Sequence, residues 1–264
     1  MSLDGWFTED FTLTELRSLR ATERIPKVRQ ENTLYDGRYQ VPTFDEVLEL
    51  ARRASKAHGR PIGVYVETKH PTYFDGLDLS LEEPMLRSLQ KFGLTKPADP
   101  VFLQSFEVGN LRELAGRTQL GLIQLFGGNN PGQPPAQPLD AVASGAALTY
   151  DAMSTPAGLR EIATYAAGIG PDKGRVIPVI GGELATPTAL VGDAHANRLL
   201  VHPYTFRNES AFLPASLRRG NGTTDYGNAF AEYQAFFAAG VDGVFADNPD
   251  TARLARDERI RAAA

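Results

Sequence analysis

The sequence predicts an α/β fold built on parallel strands, a (β/α)8 barrel of the TIM type, and three observations carry the prediction. Apolar, β-rich runs recur near residues 62, 101, 120, 176, 199 and 241, each followed by a helical stripe or by a loop and a helical stripe; strands alternating with helices imply right-handed parallel crossovers. No two-residue Asn-Gly connection joins adjacent runs directly, so no hairpin is indicated. Neither G-x-G-x-x-G nor G-x-x-x-x-G-K-[ST] follows any run, whereas an open doubly wound sheet, the other fold with this alternation, usually carries such a phosphate-binding turn. A length of 264 residues suits one barrel of roughly 250 residues. Six runs are two short of a closed barrel.

Each element has a local reason. Thr12 precedes Leu13, Leu16 and Leu19 with Glu15 three residues on, a capping box opening a short helix with an apolar face. A polar, turn-like stretch follows to Asp36-Gly37-Arg38, and Pro42-Thr43 opens a helix with Phe44, Val47, Leu48 and Ala51 on one face, ending at His58-Gly59. Ile62 to Val66 reads as a strand buried on both faces and terminated by Glu67-Thr68-Lys69-His70-Pro71. Leu81, Met85 and Leu89 mark a helix, Val101 to Phe106 a strand, Asn110 to Ala115 a short helix and Leu120 to Phe126 a strand. The Gly/Pro-rich stretch from Gly127 to Pro138 is too long for an ordinary connection and reads as a surface loop. Beyond it come a helix with Leu159, Ile162, Ala163 and Ala166, a strand at Val176 to Val179, a helix over Thr188 to Ala196 and a strand at Leu199 to Thr205. A helix with Phe230, Tyr233 and Phe237, a strand at Val241 to Ala246 and a last helix from about Thr251 complete the chain. Gly127-Gly128 and Gly181-Gly182 read as ordinary turns.

Composition narrows the function classes. Hydrophobic residues make up 42% and charged residues 22% of the chain, which excludes wholesale disorder. The net charge of −5 comes without any basic tract, so nucleic acid is not an expected partner. The chain has no cysteine, which excludes disulfides, thiolate catalysis and sulfur-ligated zinc. Neither a signal-peptide pattern nor a run of 18 apolar residues occurs, so no integral membrane segment is expected and the chain reads at face value as cytoplasmic.

Strand alternation selects the chemistry. In the first strand Gly63, Tyr65, Glu67 and Lys69 point one way and Ile62, Val64 and Val66 the other. With the apolar set toward the helices, Glu67 and Lys69 face the barrel axis at the C-terminal strand end, where barrel enzymes keep their active sites. A carboxylate there suits a hard divalent cation and an ammonium suits a phosphoryl oxygen; the same spacing also reads as a structural ion pair. Gln104 and Phe106 share a face of the second strand, and Gln124 lies in the third with Leu122 and Phe126. Such amides either line a polar pocket or are satisfied in the core. His202, Tyr204 and Phe206 share a face, as do Val241, Gly243, Phe245 and Asp247. His202 reads as a hydrogen-bonded core residue or, alternatively, as a base; His58 and His195 fall on helix ends or faces with no zinc-motif spacing. Ser105 lacks the glycine context of a nucleophile elbow.

Six strings, in order, carry a resemblance: Gly5-Trp6-Phe7-Thr8-Glu9-Asp10-Phe11-Thr12-Leu13, Pro42-Thr43-Phe44-Asp45-Glu46-Val47, Tyr65-Val66-Glu67-Thr68-Lys69-His70-Pro71, Leu103-Gln104-Ser105-Phe106-Glu107, His202-Pro203-Tyr204-Thr205-Phe206-Arg207 and Gly240-Val241-Asp242-Gly243-Val244-Phe245-Ala246-Asp247-Asn248-Pro249. Together they resemble the glycerophosphodiester phosphodiesterase family in its longer bacterial-type branch. The resemblance implies a barrel that hydrolyses glycerophosphodiesters, such as glycerophosphocholine, to glycerol 3-phosphate and an alcohol with Ca²⁺ or Mg²⁺. It implies Glu67 as a metal-binding and catalytic carboxylate and Lys69 as the accompanying catalytic and substrate-binding lysine. Phe106 and Phe206 resemble residues near the pocket wall, and Gln104 joins them as a candidate substrate contact. The family's His-Arg-Gly strand, its Pro-Glu-Asn/His-Thr element, its Glu-x-Asp strand and a following His have no match in the chain; Glu31-Asn32-Thr33 sits in the wrong place. Both acid/base histidines, the phosphate-clamping arginine and two of the three metal carboxylates would go with them.

These readings set the expectations for the structure. Residues 1–264 should form a single, N-terminally incomplete barrel domain of the phosphodiesterase type, with only strands three to eight present. Its activity should be impaired, since one lysine neither protonates a leaving group nor activates water, and its hold on Ca²⁺ or Mg²⁺ should be weak or lost. A noncatalytic phosphate-ligand-binding or structural relative is the alternative, and a different barrel enzyme using His202 as base is a third reading. Removal of two strands would expose edges open to self-association. Export in a longer form is compatible with the branch.

Overall fold

A computed structural model describes residues 4–128 and 135–263. In chain order its first half comprises α1 (Leu13–Leu16), α2 (Phe44–His58), β1 (Val64–Glu67), α3 (Pro71–Asp75), α4 (Glu82–Lys91), β2 (Val101–Ser105), α5 (Val108–Ala115) and β3 (Gly121–Phe126). The second half comprises α6 (Leu139–Ser144), α7 (Tyr150–Met153), α8 (Pro156–Ile162), β4 (Gly168–Pro171), β5 (Val179–Ile180), β6 (Glu183–Leu184), α9 (Leu190–Ala196), β7 (Leu200–Val201), α10 (Ala229–Ala238) and α11 (Pro249–Ala263). Capping chemistry sets the helix starts. Thr12 and Thr43 each accept from the backbone N–H three residues on, and Glu15 and Glu46 return the bond, satisfying donors that a helix start leaves free. Gly59, at φ +61°, closes α2 in the left-handed region.

Five strands form one parallel sheet in the order β1-β2-β3-β4-β7. The 241–246 segment runs beside β7 through Asp242 N–H to Val201 O (3.0 Å), Phe245 N–H to Pro203 O (3.0 Å) and Phe206 N–H to Phe245 O (2.8 Å). Six segments thus lie side by side in chain order, the α/β arrangement expected of a barrel sheet. Among the described residues β1 pairs only with β2. The inner faces of the first and last segments nevertheless meet, the Tyr65 and Phe245 rings lying edge to face with centroids 4.7 Å apart.

Three elements depart from the sequence reading. The fourth strand is Gly168–Pro171, not Val176 to Val179. Its composition conceals it, yet glycine is what the packing requires: a Cβ at Gly168 would lie 2.7 Å from Leu200 O, and one at Gly170 2.5 Å from a Leu125 methyl. Val176 and Ile177 are core residues instead, and Val179–Ile180 pairs antiparallel with Glu183–Leu184 across a Gly181-Gly182 turn, a hairpin the sequence reading did not include. The run at 241–246 makes a single isolated bridge, Phe206 to Ala246, rather than a regular strand. Finally, α1 is only four residues long and leaves Leu13 and Leu19 exposed, so it presents no buried apolar face. Residues 129–134 of the anticipated 127–138 loop lie outside the described residues.

The core has two parts. Leu48, Leu89, Leu103, Leu111, Leu114 and Leu122 pack under α2, α4 and α5, and Phe126, Leu159, Ile169, Val201, Tyr233 and Phe236 pack under α8 to α10. Leu111 is fully buried against the strands. Leu111→Ala should therefore cost about 2–5 kcal/mol, read as a lower urea midpoint with an unchanged slope.

Candidate active site at the strand ends

The inner face of β1 carries Tyr65 and Glu67, while Val64 and Val66 pack on the helix-side core, as strand alternation requires. Glu67 ends β1, and Lys69 follows within the connection to α3 with its side chain 70% exposed. Lys69 Nζ lies 3.8 Å from Glu67 Oε1, a loose pair rather than a hydrogen bond. Gln104 stands opposite Glu67 in the sheet register and is buried. Glu67 Oε1 and Gln104 Oε1 are both enclosed without a hydrogen-bond partner. Buried acceptors are nearly always satisfied, so two adjacent orphans beside an ammonium make this the chemically unfinished part of the molecule.

Phe106 is half-buried beside them, its ring edge-on to Tyr150 (6.3 Å) and Tyr204 (6.0 Å). The Tyr204 hydroxyl donates to Phe126 O at 2.6 Å. Burial pushes its pKa up, with Asp172 and, more weakly, Glu67 adding to the effect, so Tyr204 is a neutral wall of the mouth.

Other sequence candidates fall elsewhere. Phe206 is fully buried on the helix side, stacked on Tyr233 (5.0 Å) and edge-on to Phe236 (4.8 Å) of α10. It therefore does not share the mouth with Glu67, Lys69, Gln104 and Phe106, because the backbone from His202 to Phe206 does not keep regular strand alternation. Gln124 also faces the helix layer: its amide donates to the carbonyls of Ser105, Phe106 and Leu125, and its oxygen accepts from the Tyr165 hydroxyl at 2.9 Å. His202 is buried, with Nδ1 2.9 Å from the Tyr65 hydroxyl and its ring edge-on to Tyr65 and Phe102. Ser105 is fully buried and donates to Thr68 O. His195 pairs at the surface with Asp242 at 2.9 Å.

A cluster the sequence did not disclose lies at the end of the last segment. Arg29, from the stretch preceding α2, bonds Glu209 Oε1 at 2.5 Å and Asp247 Oδ2 at 2.8 Å, and Arg207 Nε bonds the same Asp247 oxygen at 2.9 Å. The two guanidiniums outweigh the cost of desolvation and hold the Asp247 carboxyl below its ordinary value. No local motif signals such a pairing; it exists only once the chain folds.

A divalent cation wants six or more oxygens. Glu67 and Gln104 offer two orphaned ones, Lys69 competes for the carboxylate, and Asp247 is taken by two arginines. Among the described residues no group of three or more acidic, histidine or cysteine side chains could hold a metal. The donor set on its own does not fit such an ion.

Comparison with known proteins adds the context of a family. The model of the glycerophosphoryl diester phosphodiesterase family matches residues 2–251. A glycerophosphodiester phosphodiesterase of Arabidopsis thaliana is 32% identical over 94% of this chain and 63% of its own length. One from Haemophilus influenzae is 29% identical over 94% and 70%. The chain thus spans about two thirds of the length of these two relatives. A putative glycerophosphoryl diester phosphodiesterase from Silicibacter pomeroyi shares the fold with a TM-score of 0.61 at 17% identity, over 98% of this chain and 72% of that one.

The buried imidazole gives a stability signature. Desolvation pulls the His202 pKa below its ordinary 6.5, with Asp242 opposing it. The unfolded chain then binds the proton more readily, so His202 contributes stability above pH 6.5 that is lost as pH falls toward the lowered value. Denaturant titrations across pH 7 to 5 should show this fall in the native chain and a flatter profile in His202→Gln.

Proposed function

The chain belongs to the glycerophosphoryl diester phosphodiesterase family, and on that premise we propose that it serves the hydrolysis of glycerophosphodiesters to glycerol 3-phosphate and an alcohol. The observation that carries the reading is the pair of orphaned oxygens on Glu67 and Gln104 beside the exposed Lys69 ammonium. Lys69 serves as the point charge for a phosphoryl oxygen, the Gln104 amide and the Phe106 ring flank the ligand, and Glu67 is the family-matched carboxylate. Phe206 supports this wall only indirectly, from the helix side. Glu67 and Gln104 alone do not complete a site for Ca²⁺ or Mg²⁺, which should bind these residues weakly or not at all.

Among the described residues no group of three or more acidic, histidine or cysteine side chains could hold a metal, and the sequence has no His-Arg-Gly or Glu-x-Asp string. We read the chain as corresponding to strands three to eight of the longer bacterial-type barrels, within which turnover by these residues alone is impaired. Protonating an alkoxide and activating water need groups that Lys69 does not replace. The buried, Tyr65-bonded state of His202 counts against its use as a base.

Two measurements test the reading. Calorimetry should give no micromolar Ca²⁺ affinity; tight binding abolished by Glu67→Ala would overturn the metal assignment. Without added cation, glycerol 3-phosphate should bind more weakly to Lys69→Met, whereas Glu67→Gln, which removes a like charge, should strengthen binding by up to roughly fivefold. In the assay itself, glycerophosphocholine hydrolysis should be negligible for these 264 residues. Joined to a relative's segment bearing the His-Arg-Gly and Glu-x-Asp elements, the chain should become metal-dependent and active. Glu67→Gln should then cost orders of magnitude in turnover and Lys69→Met less. Binding without hydrolysis in that joined form would favour a noncatalytic relative, and robust hydrolysis by the short chain that vanishes with His202→Ala would sink the proposal.

A further inference from the structure

Between Glu67 and α3 the chain makes a short turn pinned at both ends. Thr68 N–H donates to Gln104 O at 3.1 Å, its hydroxyl donates to Asn110 Oδ1 at 2.7 Å, and its carbonyl accepts from Ser105 Oγ. Four residues on, both the N–H and the hydroxyl of Thr72 donate to one oxygen of Glu107. Glu107 is 1% exposed, and its other oxygen has no partner. The two pins are joined, because Glu107 N–H donates to the same Ser105 hydroxyl that bonds Thr68.

Lys69 and His70 are the residues between Thr68 and Pro71. His70 has φ +54°, in the left-handed region, which is strained for a non-glycine residue. Such a conformation persists only where the surroundings over-determine it, and here Thr68 and Thr72 do so from either side. A carboxylate buried without a cation is itself costly; burial pushes its pKa up, with Thr72 opposing, Asp140 adding to the rise and His70 countering it. An expensive group and a strained turn are therefore spent on one task. We propose that Glu107 is a positioning residue that, through Thr72, holds the 68–72 turn so that Lys69 is presented to the phosphoryl group, an inference that rests on the phosphodiesterase reading of Lys69.

The test pairs hydrogen exchange with a double-mutant cycle on the full chain, using glycerol 3-phosphate as the probe. In Glu107→Ala, exchange of the 69–75 amides should rise roughly tenfold while β2 to β4 keep their protection, as for a local opening. Binding should weaken about as much as in Lys69→Met, and adding Glu107→Ala to Lys69→Met should weaken it no further. Glu107→Gln, which keeps an acceptor oxygen, should stay near the native affinity. Thr72→Val, which loses one donor and leaves Glu107 in place, should give an intermediate loss if Glu107→Ala fails to fold. Unchanged local exchange, or equal losses in the native and Lys69→Met backgrounds, would overturn the proposal. If the native chain binds no glycerol 3-phosphate while the variants still open the turn and speed amine-reagent labelling of Lys69, the latch stands and only the phosphodiesterase reading fails.

Discussion

The sheet depends on the close backbone approach of Gly168 and Gly170 to their neighbours. Among the described residues, β4 is the strand that joins the β1 to β3 pairings to β7 and the segment beside it. It joins two sub-cores that lie under different helices. With Cβ positions only 2.5–2.9 Å from Leu200, Ile123 and Leu125, any side chain at 168 or 170 would push the halves apart. The register on either side places Leu125 opposite Gly170 and Leu200 opposite Gly168.

Legibility from sequence tracked how local the cause was. The inward direction of Tyr65 and Glu67 followed from period-two alternation because β1 is a regular strand. The same rule misplaced Phe206, since the chain after Val201 leaves the regular strand and pairs through isolated bridges at Tyr204 and Phe206. The capping box at Thr12 and the helix start at Pro42-Thr43 were readable residue by residue. By contrast β4 was invisible, because Gly-Ile-Gly-Pro has no β signature and is required by what its neighbours occupy. The family was legible through short strings in order; the Arg29 cluster was not, since its members are 180 and 218 residues apart.

The electrostatics of the strand ends separate two kinds of carboxylate. Glu209 and Asp247 are met by guanidiniums at hydrogen-bond distance, and Glu232 by Lys173 at 2.7 Å. At Asp247 the two guanidiniums outweigh desolvation, whereas at Glu232 burial still raises the pKa despite Lys173. Glu67 differs from Glu209 and Asp247 in having only a loose ammonium beside its enclosed oxygen. The contrast lies in geometry: Lys69 has a long, mostly exposed stem, whereas Arg29 is held against its carboxylates with its side chain 21% exposed.

The Arg29 tie also has a consequence in time. Arg29 precedes its partners Glu209 and Asp247 by most of the chain, so closing that contact must await nearly the whole polypeptide. At a synthesis rate of roughly 5–20 residues per second, the stretch around Arg29 spends on the order of ten to forty seconds made but undocked. In that interval Tyr35, Tyr39 and Leu34, exposed even in the folded chain, lie on a stretch that lacks its Arg29 tie and is held only by nearer contacts such as Arg17 to Glu46. The Arg29 tie is thus among the late contacts to form, and the stretch around it is most available to a chaperone before Glu209 and Asp247 are made.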